Sequence, residues 1–290
     1  MAPRGESVPP FPAQHQERPG LEAEMDPAPR FHAPGYVGSG KLRDKVAVIT
    51  GGDSGIGRAT AVLFAREGAD VAIGYLAAEQ QDAETTVQMV EREGRRCLLV
   101  PGDVQDRPFC DSLIERTVVE FGRLDILVNN AAYQQHQDHI ADLDDEQLER
   151  TFRTNVLAYF YLARAAVPHM GRGSAIINVG SITGLHGSPK LLDYSATKGA
   201  IHAFTKSLAQ SLVGSGIRVN AVAPGPVWTP LNVADKPAEK VAEFGANTPM
   251  KRPAQPDEIA PTLVFLASTV DSSYITGEVI TLLGGETTAA

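Results

Sequence analysis

The chain of 290 residues is 43% hydrophobic and 21% charged, a composition typical of a globular protein with one large domain or two small ones. Its net charge of −9 argues against a nucleic-acid partner, because binding to phosphates requires clustered Lys and Arg. No apolar run approaches the roughly 18 residues of a membrane span, the N-terminus lacks the layout of a signal peptide, and two cysteines are too few for a disulfide framework, so we expect a cytoplasmic protein with no membrane partner.

The first 40 residues hold eight of the twenty prolines and show no apolar periodicity. Such a segment buries too little apolar surface to offset the entropy that it loses when it is ordered. We therefore predict a Pro-rich N-terminal arm over residues 1–40 that is flexible or extended. The alternative is an arm that packs across a neighbouring subunit, with Phe11, Phe31 and Tyr36 as its anchors.

Residues 41–290 alternate short β-rich runs with helical stretches. The predicted strands cover residues 46–50, 70–75, 97–101, 124–129, 175–180, 217–224 and 279–283, and the predicted helices cover 56–67, 79–94, 106–121, 144–169, 191–213 and 256–268. Continuous apolar strands are typical of a parallel sheet that is covered on both faces. The alternation predicts one α/β domain, a Rossmann-like doubly wound parallel sheet of about seven strands with helices on both faces.

A Gly-rich segment directly follows the first predicted strand. The spacing is T-G-x-x-x-G-x-G, formed by Thr50, Gly51, Gly55 and Gly57, rather than the commoner G-x-G-x-x-G. Glycine lets the backbone approach a pyrophosphate, and the helix N-terminus that follows offers free N–H groups. Because ligands of doubly wound sheets bind outside the carboxyl ends of the strands, this position favours dinucleotide binding over a simple tight turn.

Three later stretches carry candidate catalytic groups. Tyr194 and Lys198 are four residues apart on a predicted helix and so share one face. A Lys ammonium near a phenol lowers the phenol pKa from its usual value of about 10, toward the range of a general acid or base. Ser181 ends a predicted strand, where its hydroxyl can reach a reacting carbonyl, and Asn155 lies mid-helix, where Asn is a poor helix former. Each also has an ordinary alternative: an unrelated surface Tyr and Lys, a Ser that satisfies a turn, or an Asn that faces solvent.

Taken together and in this order, the motifs resemble those of the short-chain dehydrogenase/reductase family over about residues 42–287. They are TGGDSGIG (50–57), GDV (102–104), NNAA (129–132), Asn155, Ser181, YSATK (194–198) and PGPVWT (224–229). More narrowly, LLDYSATKGAI, SSYITG and the Gln-His-Gln at 14–16 in the Pro-rich extension are similar to bacterial general-stress and glucose/ribitol-dehydrogenase-like oxidoreductases.

The resemblance implies an NAD(P)-dependent oxidoreductase that moves a hydride between nicotinamide and a small aldehyde, ketone or polyol. Tyr194 would be the acid/base, Lys198 would lower its pKa and hold the nicotinamide ribose, Ser181 would polarise the carbonyl, and Asn155 would support a proton-relay water. The implied cofactor-binding residues are Thr50, Gly51, Ser54, Gly55, Ile56, Gly57, Tyr75, Asp103, Val104, Asn129, Asn130, Ala131, Tyr194, Lys198, Pro224, Gly225, Val227 and Thr229. It also implies a homo-oligomer, usually a tetramer. The alternative is a non-catalytic dinucleotide-binding sensor or scaffold, since a fold does not by itself give a function.

The end of the second predicted strand bears on the choice of cofactor. An acidic residue there binds the ribose 2′-OH of NAD, but this chain has Tyr75 at that position and Leu76 after it. Neither an NAD-selecting carboxylate nor an Arg for the 2′-phosphate is therefore expected at the strand end, and Arg58 is expected to pack on the first helix. We favour NADP, with NAD as the alternative.

The substrate wall is expected in the loops at 133–139, 186–189 and 230–250. These loops contain no Arg cluster such as a large anionic substrate would need. Their histidines, at positions 136, 139 and 186, have irregular spacing and no recurring acidic partner, so we expect no metal site.

Overall fold

The structure is a computed structural model, and it describes residues 7–287. Its strands are β1 (Val46–Thr50), β2 (Asp70–Tyr75), β3 (Cys97–Pro101), β4 (Ile126–Asn129), β5 (Ala175–Val179), β6 (Arg218–Pro224) and β7 (Val279–Leu282). They form one parallel sheet in the order β3-β2-β1-β4-β5-β6-β7. The predicted doubly wound sheet of seven parallel strands is confirmed.

The helices are α1 (Gly55–Arg66), α2 (Gln80–Arg92), α3 (Arg107–Phe121), α4 (Asp145–Phe152), α5 (Ala158–Ala166), α6 (Thr183–His186), α7 (Leu192–Leu212), α8 (Pro230–Val233), α9 (Ala238–Ala242), α10 (Pro256–Ala267) and α11 (Thr269–Ser272). A π-helical turn, Arg153–Leu157, joins α4 to α5. The four short helices α6, α8, α9 and α11 were not predicted, because a single turn is too short to show a helical period. Within residues 7–287, no helix is both long and apolar enough to cross a membrane.

Local sequence signals set several helix ends. The Asp144 carboxylate accepts a hydrogen bond from the backbone N–H of Gln147 at 2.7 Å and so caps the start of α4. Pro256 occupies the first position of α10, where its missing N–H costs no helical hydrogen bond. Gly122 follows α3 with a φ of +78°, a left-handed conformation that ends a helix readily.

The two faces of the sheet are both covered. In β1, Ala47 and Ile49 pack with residues of α1, α2 and α10, whereas Val48 packs with residues of α3, α5 and α7. Because alternate side chains of a strand point to opposite faces, a strand between two helical layers must be apolar throughout. This explains the continuous apolar run that identified β1 in the sequence.

The strand order reverses beside β1. The chain runs outward from β1 through β2 to β3, and it then crosses back to place β4 on the other side of β1. The connections that leave β1 and β4 diverge at the carboxyl edge of the sheet and open a crevice there, which is where doubly wound sheets bind their ligands.

The described part of the arm, residues 7–40, is docked on the sheet domain of its own chain. Three arm side chains make buried or half-buried contacts with that domain: Phe11 with Trp228, Glu22 with Arg58, and Tyr36 with Glu67. The described part of the arm is thus ordered along its own domain rather than free in solution, and packing across a neighbouring subunit stays the alternative drawn from the sequence. Irregularly spaced anchoring residues are enough to hold the arm in place, because the sheet domain supplies a contact for each of them. The division of the chain at residue 40 stays a prediction, and residues 1–6 and 288–290 lie outside the described residues.

Replacing Phe11 by Ala should loosen the arm over Trp228. The two rings stack with centroids 4.2 Å apart, Phe11 is 6% exposed and Trp228 is fully buried. Removing a buried aromatic ring costs about 3 kcal/mol, so we expect a lower free energy of unfolding in a denaturant titration. The emission of Trp228, the one tryptophan of the chain, should shift to longer wavelength as water reaches it.

The matched control is Val8→Ala, which truncates an arm side chain that is 56% exposed. It should leave both the emission and the stability near wild type. An unchanged emission spectrum in Phe11→Ala would show that the stacked pair does not hold the arm.

Candidate active site

The Gly-rich loop between β1 and α1 folds back on itself. Gly51 has a φ of +60°, in the left-handed region that favours glycine, and a Cβ on Gly57 would lie 1.8 Å from the carbonyl oxygen of Gly51. The Asn130 amide donates to the carbonyl oxygens of Thr50 and Gly51 at 2.9 and 3.0 Å. The missing side chain of Gly57 therefore makes room for the loop's own backbone, rather than directly for a ligand as the sequence analysis assumed.

One cavity of about 400 Å³ connects this loop with the candidate catalytic group. It is lined by sixteen of the residues implied by the family resemblance: Gly51, Ser54, Gly55, Ile56, Tyr75, Asp103, Val104, Asn130, Ala131, Ser181, Tyr194, Lys198, Pro224, Gly225, Val227 and Thr229. Four others are not among its lining residues: Thr50, Gly57, Asn129 and Asn155. Thr50 Oγ1 accepts hydrogen bonds from the backbone N–H groups of Asn130 and Ala131 at 3.0 and 3.1 Å.

The candidate catalytic side chains come together at one end of the cavity. Lys198 Nζ donates to the carbonyl oxygen of Val179 at 2.8 Å and lies 5.4 Å from the centroid of the Tyr194 ring. Ser181 Oγ accepts hydrogen bonds from the backbone N–H and the hydroxyl of Thr183 at 3.2 and 3.1 Å. Since Tyr194 and Lys198 lie one turn apart on α7, the shared face expected from their spacing brings both to Ser181, which follows β5.

Burial determines the pKa values of this group. It raises the pKa of Tyr194 to about 12, a rise that the Ser181 hydroxyl opposes by hydrogen bonding. Burial also lowers the pKa of Lys198 to about 7. The expected lowering of the Tyr194 pKa by Lys198 is not found in this structure, because the same burial disfavours the charged forms of both groups.

Asn155 lies in the π-helical turn between α4 and α5 and is fully buried. Its Nδ2 donates to the carbonyl oxygen of Tyr133 at 2.8 Å and to Thr197 Oγ1 at 3.0 Å, while its Oδ1 accepts from the backbone N–H of Tyr133 at 2.8 Å. The amide thus pairs with both main-chain groups of one residue and holds the segment that follows β4. A solvent-facing Asn155, the alternative left open by the sequence, is not observed.

Two carboxylates that the sequence analysis missed line the cavity beside the end of β2. Asp53 belongs to the Gly-rich loop, and Glu79 ends the short 3₁₀ turn before α2. Tyr75 occupies the position at which an acidic residue was sought, and its hydroxyl donates to Gln80 Oε1 at 2.5 Å. Asp53 could have been noticed in the sequence, because it is an acidic residue inside a loop expected to bind phosphate. No sequence pattern distinguishes Glu79.

Arg58 lies at the junction of the arm, the Gly-rich loop and α2, and not only on α1 as expected. Its guanidinium pairs with the carboxylates of Glu22 and Asp82, and its Nε donates to the carbonyl oxygen of Asp53 at 2.7 Å. Glu22 Oε2 also accepts a hydrogen bond from the backbone N–H of Gly55 at 2.6 Å. Burial raises the pKa of Glu22 to about 7, although the charge of Arg58 opposes the rise. The arm therefore reaches the N-terminus of α1.

The end of the cavity beside Tyr133 carries two cations that the sequence analysis did not foresee. The guanidinium carbons of Arg18 and Arg150 lie 5.6 and 4.4 Å from the centroid of the Tyr133 ring, and all three residues line the cavity. Arg18 belongs to the arm and Arg150 to α4, outside the loops expected to form the wall. The segment 186–189 was expected to line the cavity, but it does not, and Leu191 lies there instead.

These residues fit a nicotinamide dinucleotide. The cavity runs from a Gly-rich loop and helix N-terminus, which suit a pyrophosphate, to a buried Tyr and Lys. In the Gly-rich loop itself, the Asp53 carboxylate is buried and neither oxygen has a hydrogen-bond partner of good geometry. A buried acceptor without a donor is costly, and the sugar hydroxyls of a dinucleotide are donors of the kind it lacks.

Comparisons with known proteins agree with this geometry. A family model described as enoyl-(acyl carrier protein) reductase matches residues 51–287. General stress protein 39 of Bacillus subtilis (strain 168) is 55% identical over 276 residues, which cover 95% of this chain and 96% of that protein. The chloroplastic NADPH-dependent aldehyde reductase 1 of Arabidopsis thaliana is 48% identical over 277 residues, 94% of this chain and 96% of that protein. A short chain dehydrogenase from Burkholderia cenocepacia J2315, solved in complex with NADP, has a TM-score of 0.78 and 32% identity and covers 84% of this chain and 98% of its own.

The carboxyl edge of this sheet is thus arranged as in enzymes that use a bound dinucleotide to move a hydride. The family match and the relatives show that the chain belongs to the short-chain dehydrogenase/reductase family and is an oxidoreductase. The resemblance to general-stress oxidoreductases is confirmed.

Replacing Asn155 by Asp should destabilise the site with almost no change in shape. A carboxylate can still accept from the N–H of Tyr133, but it cannot donate to the carbonyl oxygen of Tyr133, and it faces that oxygen with a negative charge. Leaving a buried carbonyl unpaired costs about 1–3 kcal/mol, so denaturant unfolding should show a loss in this range.

Asn247→Asp is the matched control, because Asn247 is exposed and the same change there should leave the free energy of unfolding within about 0.5 kcal/mol of wild type. Equal stability of the two variants would mean that the Asn155 amide does not hold the Tyr133 segment.

Proposed function

We propose that the protein is an NADP(H)-dependent oxidoreductase that interconverts a small carbonyl compound and its alcohol, with NAD(H) as the alternative cofactor. The observation that carries this proposal is one cavity lined by the Gly-rich loop at one end and by Ser181, Tyr194 and Lys198 at the other. NADP(H) is further supported by the B. cenocepacia structure with NADP and by the Arabidopsis relative named an NADPH-dependent aldehyde reductase. An aldehyde is accordingly the first substrate class to test, followed by ketones and polyols.

The cofactor would be held along the carboxyl edge of the sheet. The Gly-rich loop and the start of α1 would hold the pyrophosphate, and Asp103 and Val104, which follow β3, would lie at the adenine end. Lys198 would bind the nicotinamide ribose, and Thr229, beyond the turn that follows β6, would bind the carboxamide. When bound, NADP(H) supplies or accepts the hydride.

Side chains of the protein would carry out the proton transfer. Tyr194, whose raised pKa keeps the phenol protonated near neutral pH, would give its proton to the substrate oxygen during carbonyl reduction and take it back during alcohol oxidation. The Ser181 hydroxyl would donate a hydrogen bond to the same oxygen and favour the charge that develops on it. Asn155 would act by positioning, because its amide holds the segment that carries the Tyr133 wall.

A homotetramer in the cytoplasm is the assembly and location that we propose. Three apolar side chains on the helical segment from α4 to α5, Phe152, Leu157 and Phe160, are 36%, 39% and 48% exposed, and a second copy of the chain would cover them. Both cysteines are free, and burial raises the pKa of their thiols to about 12, which suits a reducing compartment. A monomeric molar mass in light scattering at micromolar concentration would contradict the tetramer.

The proposed function is tested first by following absorbance at 340 nm with NADPH and NADH in parallel. The panel consists of small aldehydes, ketones and sugars, and the best member names the substrate class. We expect turnover with NADPH near neutral pH, and a preference for NADH of about tenfold or more would contradict the choice of NADP. Binding of both cofactors with no turnover on any panel member would instead favour a dinucleotide-binding sensor.

Replacing Tyr194 by Phe should abolish most of the activity. The variant removes one hydroxyl, so turnover on the best panel substrate should fall at least about 100-fold, the low end for loss of a general acid/base. Cofactor affinity should stay within about threefold of wild type, because the ring remains in the wall. Tyr274→Phe is the matched control, since Tyr274 is fully exposed, and near-normal turnover in Tyr194→Phe would remove Tyr194 from the mechanism.

A further inference from the structure

Two arginines lie at the end of the cavity beside Tyr133, and the proposed mechanism gives them no role. The guanidinium carbon of Arg150 lies 4.4 Å from the centroid of the Tyr133 ring, and that of Arg18 lies 5.6 Å from it. All three residues line the cavity. The sequence analysis found no arginine cluster in the loops of the substrate wall. This cluster arises instead because the fold brings a residue of the arm to a residue of α4.

Hydrogen bonds tie this end of the cavity to α7. The Asn155 amide pairs with both main-chain groups of Tyr133 and also donates to Thr197 Oγ1 at 3.0 Å. Thr197 lies between Tyr194 and Lys198 in the sequence of α7. The segment that carries Tyr133 is therefore held against the turn that carries both candidate catalytic residues.

The part of α4 that carries Arg150 contacts the same turn. Thr151 Oγ1 donates to the Asp193 carboxylate at 2.6 Å. Thr151 directly follows Arg150 in the sequence, and Asp193 directly precedes Tyr194. A substituent on a carbonyl compound that meets Tyr194 would thus extend toward the arginines.

Arg18 is held in place by a buried carboxylate. Its Nη2 donates to Asp235 Oδ1 at 3.1 Å, and the Asp235 side chain is 1% exposed. The same carboxylate accepts from Gln134 Nε2 at 3.0 Å and from the backbone N–H of His136 at 2.9 Å. Because Gln134 directly follows Tyr133, one acid positions the arginine of the arm relative to the ring. The guanidinium is therefore ordered before a ligand arrives, which lowers the entropic cost of binding.

Both guanidinium groups retain N–H donors without a partner. Within residues 7–287, Arg150 makes no hydrogen bond and no ion pair, and Arg18 has a hydrogen-bond partner at Nη2 only. A guanidinium presents its N–H groups in a planar fork that matches the oxygens of a carboxylate or a phosphate. An aromatic ring stabilises the cation without using those donors. The two arginines are therefore suited to bind an anion.

The charges that line the cavity are separated along the edge of the sheet. The acidic lining residues, Asp53, Glu79 and Asp103, follow β1, β2 and β3. The cations other than Lys198 are the two arginines, at the ring that follows β4. The pyrophosphate of a dinucleotide would lie at the Gly-rich loop after β1. The arginines thus remain available for a group of the second ligand, the substrate.

We propose that Arg18 and Arg150 bind an anionic group of the substrate, a carboxylate or a phosphate monoester on the same molecule as the reacting carbonyl. The arm thereby forms part of the substrate pocket, and the protein prefers an anionic aldehyde to its neutral analogue. The inference rests on the proposed oxidoreductase function and specifies its substrate class.

The test compares two matched pairs of aldehydes with the full chain at a saturating concentration of reduced cofactor. The carboxylate pair is succinate semialdehyde and its methyl ester, and the phosphate pair is glyceraldehyde phosphate and glyceraldehyde. We expect kcat/KM to be at least about tenfold higher for the anionic member of one pair, and that pair identifies the anion. Both arginine side chains are partly exposed, so added salt should raise KM for the anionic member more than for the neutral one.

Arg150→Gln removes the unpaired guanidinium at an exposed position of α4. The ratio of kcat/KM between the anionic and the neutral aldehyde should fall about tenfold, through a rise in KM rather than a fall in kcat, because the contact is made equally in the ground state and the transition state. Arg18→Gln should lower the same ratio. Arg153→Gln is the matched control, since Arg153 is exposed on the same helical segment, pairs with Glu149 and is not among the residues that line the cavity. It should keep the wild-type ratio.

Equal kcat/KM within both pairs, or a ratio that Arg150→Gln and Arg18→Gln leave unchanged, overturns the inference, while turnover itself upholds the oxidoreductase function. The same holds if these variants weaken NADPH binding about tenfold with no change in the ratio, since the arginines then bind the cofactor. Turnover of other compounds but of none of the four aldehydes also overturns the inference alone. The absence of all turnover overturns the proposed function and this inference with it. Loss of the fold in Arg18→Gln leaves Arg150→Gln to decide.

Discussion

The hydrogen bonds between the end of β1 and the segment after β4 hold the whole site together. At the strand-order reversal the two connections diverge, and only side chains can bridge the gap between them. Thr50 accepts from two backbone N–H groups of the β4 segment, and the Asn130 amide returns two bonds to the carbonyl oxygens of Thr50 and Gly51. These four bonds fix the start of the Gly-rich loop relative to the segment that leads to Tyr133 and Asn155.

The arginines at the two ends of the cavity have different partners. Beside the Gly-rich loop, Glu22 of the arm and Asp82 of α2 both pair with Arg58, and Arg58 is not among the residues that line the cavity. At the substrate end, Arg18 reaches Asp235 at 3.1 Å while Arg150 stacks on Tyr133. The arm thus contributes an acidic residue beside the Gly-rich loop and a basic residue beside Tyr133, and a chain with a net charge of −9 has two cations at the Tyr133 ring.

The sequence predicted the sheet well, because the strands depend on short-range patterns, and the same holds for the shared helix face of Tyr194 and Lys198 on α7. Apolar runs identify strands that are buried on both faces, and the spacing of Tyr194 and Lys198 fixes a shared helix face. The pKa of Tyr194 was not predictable in this way, because it depends on burial, which sequence spacing does not measure. Asp53 and Glu79 were missed for a related reason: they are brought together by the loop after β1 and the turn after β2, which no local pattern connects.

The course of the arm could not be predicted, because sequence reasoning treats the arm in isolation. Its anchoring residues show no sequence periodicity, and each is held by a contact with a residue of the sheet domain. The same reasoning explains Asn155, whose poor helix propensity is compensated by a π-helical turn and by its bonds to Tyr133. In both places a tertiary partner outweighs a local preference.

The docking of the arm also has a consequence for how the chain is made. His15 bonds to the carbonyl oxygen of Lys236, 221 positions later, and Phe11 stacks on Trp228. On the ribosome the segment around Phe11 and His15 is therefore synthesised long before the residues on which it packs, since the partner of His15 follows 221 positions later. Until then this segment has to stay in solution without those partners, and a composition rich in proline and poor in apolar periodicity suits that requirement.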